Sequence, residues 1–293
     1  MKTAKRILTV ALALMLIFAM AAPSFALSST AGSYIQSGTI TENGEFVVTL
    51  SIQSDKVNST GPISRLYYTV EMGTDGISKA YTVSDVLNAA QTQYDWLTFY
   101  SSSNTPLHVD YFVYGVNDSD VSTTEMFTPV NVSLNGSTAY CGWMFRVNGM
   151  IPMASDGITG LLMNQTYIKD GDHIDLYYAS IDADSATVST VLEAVAQSGN
   201  TVYFIVYGSS VTDEGVNGWD VSNYSFYANK SIQYKFDGTT YTTTTNQYGI
   251  FSVNNVTAGT HTIELVPTYN SGTKNGNTYY VPKYTGTAFA FQK

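Results

Sequence analysis

Tyr140-Cys141-Gly142-Trp143-Met144-Phe145-Arg146-Val147-Asn148-Gly149-Met150 is the stretch on which the fold turns. Side chains alternate across a strand, so Trp143, Phe145 and Val147 share one face. Asn148-Gly149 suits the positive-φ positions of a tight hairpin turn, after which the chain returns. A second turn, Asp170-Gly171-Asp172, opens another strand whose apolar face is Ile174, Leu176 and Tyr178. Upstream, Val83, Val86, Leu87 and Ala90 fall at i, i+3, i+4 and i+7, the spacing of one helix face. Thr82 or Ser84 can cap that helix, and Asp85 suits the positive end of its dipole. These three segments together predict a small sheet with one helix laid on it.

Outward from this centre the chain is rich in Thr, Ser, Tyr, Val and Gly, which are strand formers punctuated by turn formers. Further strands are expected at 45–52, 64–72, 109–114, 201–207, 231–236, 249–253, 260–266 and 278–281. Asn-Gly and Asp-Gly pairs lie between them, as at Asn43-Gly44, Asn135-Gly136, Asp156-Gly157 and Asp237-Gly238. The run 187–196 has a β-branched start that favours strand and a Leu-Glu-Ala centre that favours helix. It is read as a strand, because the turn Ser198-Gly199-Asn200 and a strong strand follow at once. The polar segment Ser180–Ser185 marks a boundary. The residues after it, about 110, suit a seven-strand sandwich. The expected fold class is mainly β: a β-grasp-like domain over 62–180, preceded by a strand-bearing lead-in over 27–61 and followed by a seven-strand β-sandwich over 181–293.

Residues 1–26 read as a secretory signal peptide. Lys2, Lys5 and Arg6 precede the apolar run Ile7–Ala22, Pro23 breaks it, and Ser24-Phe25-Ala26 supplies small residues for cleavage. The run falls short of about 20 residues, and no later one is long enough to span a bilayer. Cleavage removes three positive charges and no acid, taking the formal charge of the 293-residue chain from −10 to −13. Such acidity disfavours nucleic acid and anionic lipid as partners. One cysteine, Cys141, excludes a disulfide framework and a multi-cysteine zinc site, and three scattered histidines argue against a zinc hydrolase. Cys141 is expected to be a buried small hydrophobe. The expected location is extracellular or the cell surface.

The segments 81–87, 140–150 and 167–178 resemble, in that order, the helix start, the Gly-Trp…Val-Asn-Gly hairpin and the Asp-Gly-Asp strand of the bacterial relatives of the transcobalamin C-terminal domain. The resemblance covers about residues 62–180 and implies a β-grasp-like fold. It also implies a corrinoid, cobalamin-like ligand, although no helical barrel precedes the module here. Lys235–Val253 and Val256–Leu265 resemble prealbumin-like sandwich modules of bacterial surface proteins, of the carboxypeptidase-regulatory-like and collagen-adhesin B types. That resemblance covers about 186–293 and implies a spacer. Some such modules carry a Lys–Asn isopeptide cross-link. No lysine stands in the first strand and no asparagine in the last, so none is expected.

Candidate ligand-binding residues are Tyr140, Trp143, Asn148 and Met150: an aromatic and methionine-lined surface with one amide donor. The alternative for Trp143 is a core residue packed under the helix. Asp170, Asp172, His173 and Asp175 can be read as a metal cluster or as turn residues, and alternation favours turns. No Gly-x-Ser-x-Gly, Walker loop, HExxH or Rossmann fingerprint occurs, so no catalytic residue and no cofactor are assigned. Two functions remain open: a non-catalytic binding protein, with a corrinoid as the specific ligand, or a structural or adhesive surface component that contacts protein or glycan.

Overall fold

The computed structural model describes residues 34–35, 39–53, 66–100, 108–110, 113, 115–118, 130–134, 137–155, 159–181, 186–212, 220–221, 224–274 and 277–293. The expected signal peptide, residues 27–33 of the lead-in, the turns Asn135-Gly136 and Asp156-Gly157, and residues 182–185 of the boundary segment lie outside these residues. Strands make up 60% and helix 7% of what is described, so the chain is mainly β.

The helix runs Val83–Gln93, as its apolar spacing predicts. Thr82 is its cap. The Thr82 hydroxyl accepts from the Asp85 N–H, and the Asp85 carboxylate accepts in turn from the Thr82 N–H at 2.8 Å. This reciprocal arrangement satisfies two donors that the first helical turn leaves unpaired. At the other end, Gln93 clamps the backbone of Glu71. It accepts from the Glu71 N–H at 3.0 Å and donates to the Glu71 carbonyl. The helix is thereby fastened along the strand Leu66–Met72.

That strand is one edge of a seven-stranded sheet. Across it the order is Asn277–Pro282, Tyr269–Lys274, Val130–Leu134, Ser137–Val147, His173–Ser180, Phe46–Gln53 and Leu66–Met72. All neighbours are antiparallel except His173–Ser180 and Phe46–Gln53, which run parallel. A parallel pair cannot be joined by a hairpin, and here the crossover contains the helix. The helix buries Val83, Val86, Leu87 and Ala90 against Val48, Leu50, Val70, Phe145, Ile174 and Leu176 in one continuous core.

A second body begins at Val188. One of its sheets is built on the hairpin Val188–Ser198 and Thr201–Thr212, with Ile250–Val253 and two short strands alongside. The other has the order Thr239–Thr244, Ser231–Phe236, Thr260–Val266 and Thr287–Gln292. Their inner faces share a core that includes Phe204, Val206, Ile232, Phe251, Ile263 and Phe291. The ambiguous run 187–196 is a strand, paired with Thr201–Thr212 throughout and bulged at Ala194/Ala196.

Sheet pairing does not respect the boundary expected at residue 181. The hairpin Tyr269–Lys274/Asn277–Pro282 belongs by sequence to the second body but pairs with Val130–Leu134 and extends the first sheet. Gly272 permits the approach. A Cβ there would collide with the Ser133 carbonyl and with the Val132 and Leu134 side chains.

Candidate functional site

The four residues expected to form a ligand surface do not converge. Trp143 is 7% exposed and meets Tyr178 edge-on, with ring centroids 5.7 Å apart. It sits in the core of the first body, with Phe145 and Val147 on the same inner face. Tyr140 lies on the same strand at the opposite parity, so its side chain points from the other face, where it is 40% exposed. Asn148 occupies the hairpin turn with φ +52°. Its amide donates to the Asp172 carboxylate at 2.8 Å, and its carbonyl accepts from the His173 N–H at 2.9 Å. Met150 closes the same turn through reciprocal backbone bonds with Val147. The structure thus brings Asn148 and Met150 together, in a structural turn, and separates Tyr140 from Trp143. A flat ligand has no shared aromatic platform there. Met153 and Met163 are interior, and Cys141 is buried, its thiol directed at the Ala139 carbonyl at 3.8 Å.

The acids around the second turn are staples. The Asp170 carboxylate accepts from the Val47 N–H at 3.1 Å, and that of Asp172 accepts from the Lys169 N–H at 2.8 Å. Among the described residues no three His, Cys, Asp or Glu side chains are grouped to hold a metal ion.

The chemistry the sequence reading missed is on the outer face of this sheet. Arg146 is 1% exposed, and its Nε donates to Asp175 Oδ2 at 2.6 Å. Its two terminal nitrogens donate to the Thr190 carbonyl at 3.0 Å, to the Thr285 hydroxyl and to the Gly286 carbonyl. All three of these partners belong to the second body. Strand register explains the placement: Ser51, Asp175 and Arg146 stand directly opposite one another across three adjacent strands. The signal was available in the sequence, since Arg146 is the one charge in the apolar run Gly142–Val147 and has the parity opposite to Trp143.

Ser51, His173 and Asp175 have the composition of a catalytic triad without its geometry. A triad needs the base to bond serine through one ring nitrogen and the acid through the other. Here His173 Nε2 faces both Ser51 Oγ, at 3.1 Å, and Asp175 Oδ1, at 3.0 Å. The Ser51 hydroxyl donates to Asp175. The carboxylate is already paired with Arg146, and it meets the ring at the same nitrogen as the serine, so it does not orient the ring from the opposite nitrogen as a triad requires.

Further bonds tie the two bodies around Arg146. The Ser180 N–H donates to the Thr187 hydroxyl at 3.0 Å, which donates to the Pro282 carbonyl at 2.7 Å. The Tyr224 hydroxyl accepts from the Ile151 N–H at 3.2 Å and lies 3.0 Å from the Ser189 hydroxyl. Burial raises the pKa of both Tyr177 and Tyr224 above the ordinary phenol value, with Arg146 pulling the other way. Both phenols stay neutral donors at physiological pH.

A cleft of about 570 Å³ opens between the outer side of the helix and the Glu71–Lys79 turn. Its polar lining is already used within the fold. Asn88 bonds both backbone groups of Val109, Gln93 clamps Glu71, and the Lys79 ammonium sits 4.7 Å from the Tyr81 ring centroid. No family model, curated protein or solved structure matches the chain.

Proposed function

We propose that this chain is an exported, non-catalytic cell-surface protein in which two β-built bodies act as one scaffold. The observation that carries the reading is the Arg146 junction. A guanidinium with every bond directed at a partner, buried between the bodies, fixes their relative position rather than presenting chemistry to solvent. The signal-like N-terminus and the acidity support the same reading. The helix Val83–Gln93 in the crossover of a parallel strand pair supports a grasp-like first body, and two facing sheets support a sandwich-like second one. The corrinoid alternative loses support because Trp143 lies in the core and Tyr140 on the other face.

Protease treatment of intact cells expressing the full chain is expected to digest it. Protection of the chain until the cells are lysed would overturn the surface assignment. Purified protein mixed with cobalamin and passed through gel filtration is expected to elute colourless. Co-elution of the corrinoid would overturn the scaffold reading in favour of the binding one.

A further inference from the structure

Three sheet edges in this molecule are closed by their own fold. On Leu66–Met72, Gln93 bonds both backbone groups of Glu71, and the Tyr94 hydroxyl donates to the Thr69 carbonyl at 2.7 Å. Asn277–Pro282 ends in a proline whose carbonyl accepts from Thr187. Val188–Ser198 is met from outside by Thr285, whose N–H donates to the Val188 carbonyl and whose hydroxyl accepts from the Thr190 N–H, both at 2.9 Å. Proteins blunt edges in such ways because a bare row of N–H and C=O groups is a template for another strand.

Thr239–Thr244 is bare. It is an edge of the four-stranded sheet, six residues long, in unbroken register with Ser231–Phe236. Ladder parity decides which of its groups face outward. The Asp237 N–H donates to the Thr262 carbonyl at 3.0 Å, so the odd-numbered residues of its strand turn towards Thr260–Val266. The even-numbered ones turn towards Thr239–Thr244, where Tyr234 pairs with Tyr241. Bonded and unbonded pairs alternate along an antiparallel ladder, so Thr240, Thr242 and Thr244 direct their N–H and C=O groups away from the sheet. Among the described residues no strand or side chain meets these groups. The strand also carries no charge, no proline and no bulge, the devices that keep edges apart.

We propose that Thr239–Thr244 pairs antiparallel with the same strand of a second copy of this chain, across a two-fold axis. The strand is complementary to itself in one register. With Thr242 opposite Thr242, Thr240 falls opposite Thr244, and every outward backbone group of one copy meets one of the other. Threonine then stands opposite threonine on the solvent face, a favourable cross-strand pair. On the other face Tyr241 falls opposite Thr243. Its ring is 45% exposed and already stacked on Tyr234, with centroids 5.3 Å and planes 22° apart, and it covers that threonine. Charge favours a second copy at this place. Chains with a formal charge of −10 repel one another, and this edge opposes no like charges, since Asp237 of one copy comes level with Gln247 of the other. Such a two-fold contact closes on itself and yields a dimer. The proposal is independent of the scaffold reading above, because it uses neither the Arg146 junction nor the first body.

Sedimentation velocity of the full chain over a concentration series is expected to show a monomer–dimer equilibrium. Thr242→Pro removes an outward N–H and no bond of the chain's own ladder, as an edge position allows. It is expected to weaken the dimer at least about tenfold with the circular dichroism unchanged. Thr242→Lys and Thr242→Glu each set like charges against one another at the axis, so each alone is expected to be monomeric. An equal mixture of the two is expected to dimerise again, because opposite charges then meet. A chain that stays monomeric at every concentration, as it would if this edge served a different protein, overturns the proposal. So does a dimer unmoved by Thr242→Pro, or a Lys/Glu mixture that associates no more than its separate components.

Discussion

Two charge pairs in this molecule do opposite work. Arg146–Asp175 is sealed between the bodies, with side chains 1% and 6% exposed. His261–Asp237 stands at the rim of the second body, where the Asp237 side chain is 42% exposed and the His261 side chain 10%. The first has its remaining hydrogen-bonding capacity met by Thr190, Thr285, Gly286, Ser51 and His173. The second closes one turn, with Asp237 also accepting from the Thr262 N–H at 2.9 Å. Desolvating a pair is costly, and once it is buried the loss of one partner strands the other. An exposed pair loses little when cut, because water replaces the missing partner. The comparison teaches that position, not bond length, decides what each pair is worth. The ion-pair distances are 2.6 and 2.7 Å.

Cutting the buried pair should give the largest effect. Arg146→Ala leaves Asp175 buried without its cation and is expected to cost about 3–5 kcal/mol. Chemical denaturation of the variant beside the wild type measures this. A cost below about 1 kcal/mol would mean that the junction is hydrated. The double variant Arg146→Met with Asp175→Leu is expected to recover much of the loss, since an apolar pair of similar volume needs no compensation.

Gly272 tests the same junction without charge. Gly272→Ala pushes a Cβ into the Ser133 carbonyl and the Val132 and Leu134 side chains, so the transferred hairpin must shift. The expected cost is about 1–3 kcal/mol. Hydrogen exchange should quicken at Tyr269–Lys274 and not at Ser231–Phe236. Uniform quickening would show that the two bodies unfold as one unit.

What could be read from the sequence follows from how local the cause is. The helix Val83–Gln93 was legible because its periodicity, cap and first-turn acid lie within a few residues. Most strands were legible for the same reason, period-2 alternation bounded by turn dipeptides, but the strand expected over 109–114 is not found at the described residues 109, 110 and 113, and a strand runs Gly115–Asp118 instead. The transfer of residues 269–282 to the first sheet was not legible. Nothing in Tyr-Asn-Ser-Gly-Thr-Lys says which of two edges it will pair with, and the reason sits at Val130–Leu134, over a hundred residues away. At the candidate site, alternation already put Trp143 and Tyr140 on opposite faces. Treating them as one surface overlooked that parity, and the same parity would have singled out Arg146.

The rim pair, with its Asp237 side open to water and its His261 ring buried, should show its effect in pH dependence rather than in size. His261 Nδ1 faces Asp237 Oδ2 at 2.7 Å, and Nε2 faces the Thr257 carbonyl at 2.9 Å. Both partners are acceptors, so both ring nitrogens can donate only in the charged imidazolium. Hydrogen bonding to Asp237, and then to Thr257, raises the His261 pKa above its ordinary 6.5. The bond from His261, and then that from Thr262, holds Asp237 below its ordinary 3.8. A raised histidine contributes stability that is complete below the unfolded value and is lost as pH rises through the folded one. A lowered aspartate contributes stability that is present above its unfolded value and is lost as pH falls through the folded one. The pair is therefore strongest between 3.8 and 6.5 and weakens on either side. Melting temperature measured against pH should show this as a shallow loss above pH 6.5 that is reduced in His261→Gln. Parallel profiles for the two proteins would mean that His261 titrates alike in the folded and unfolded chain, so that its two acceptors do not favour the imidazolium.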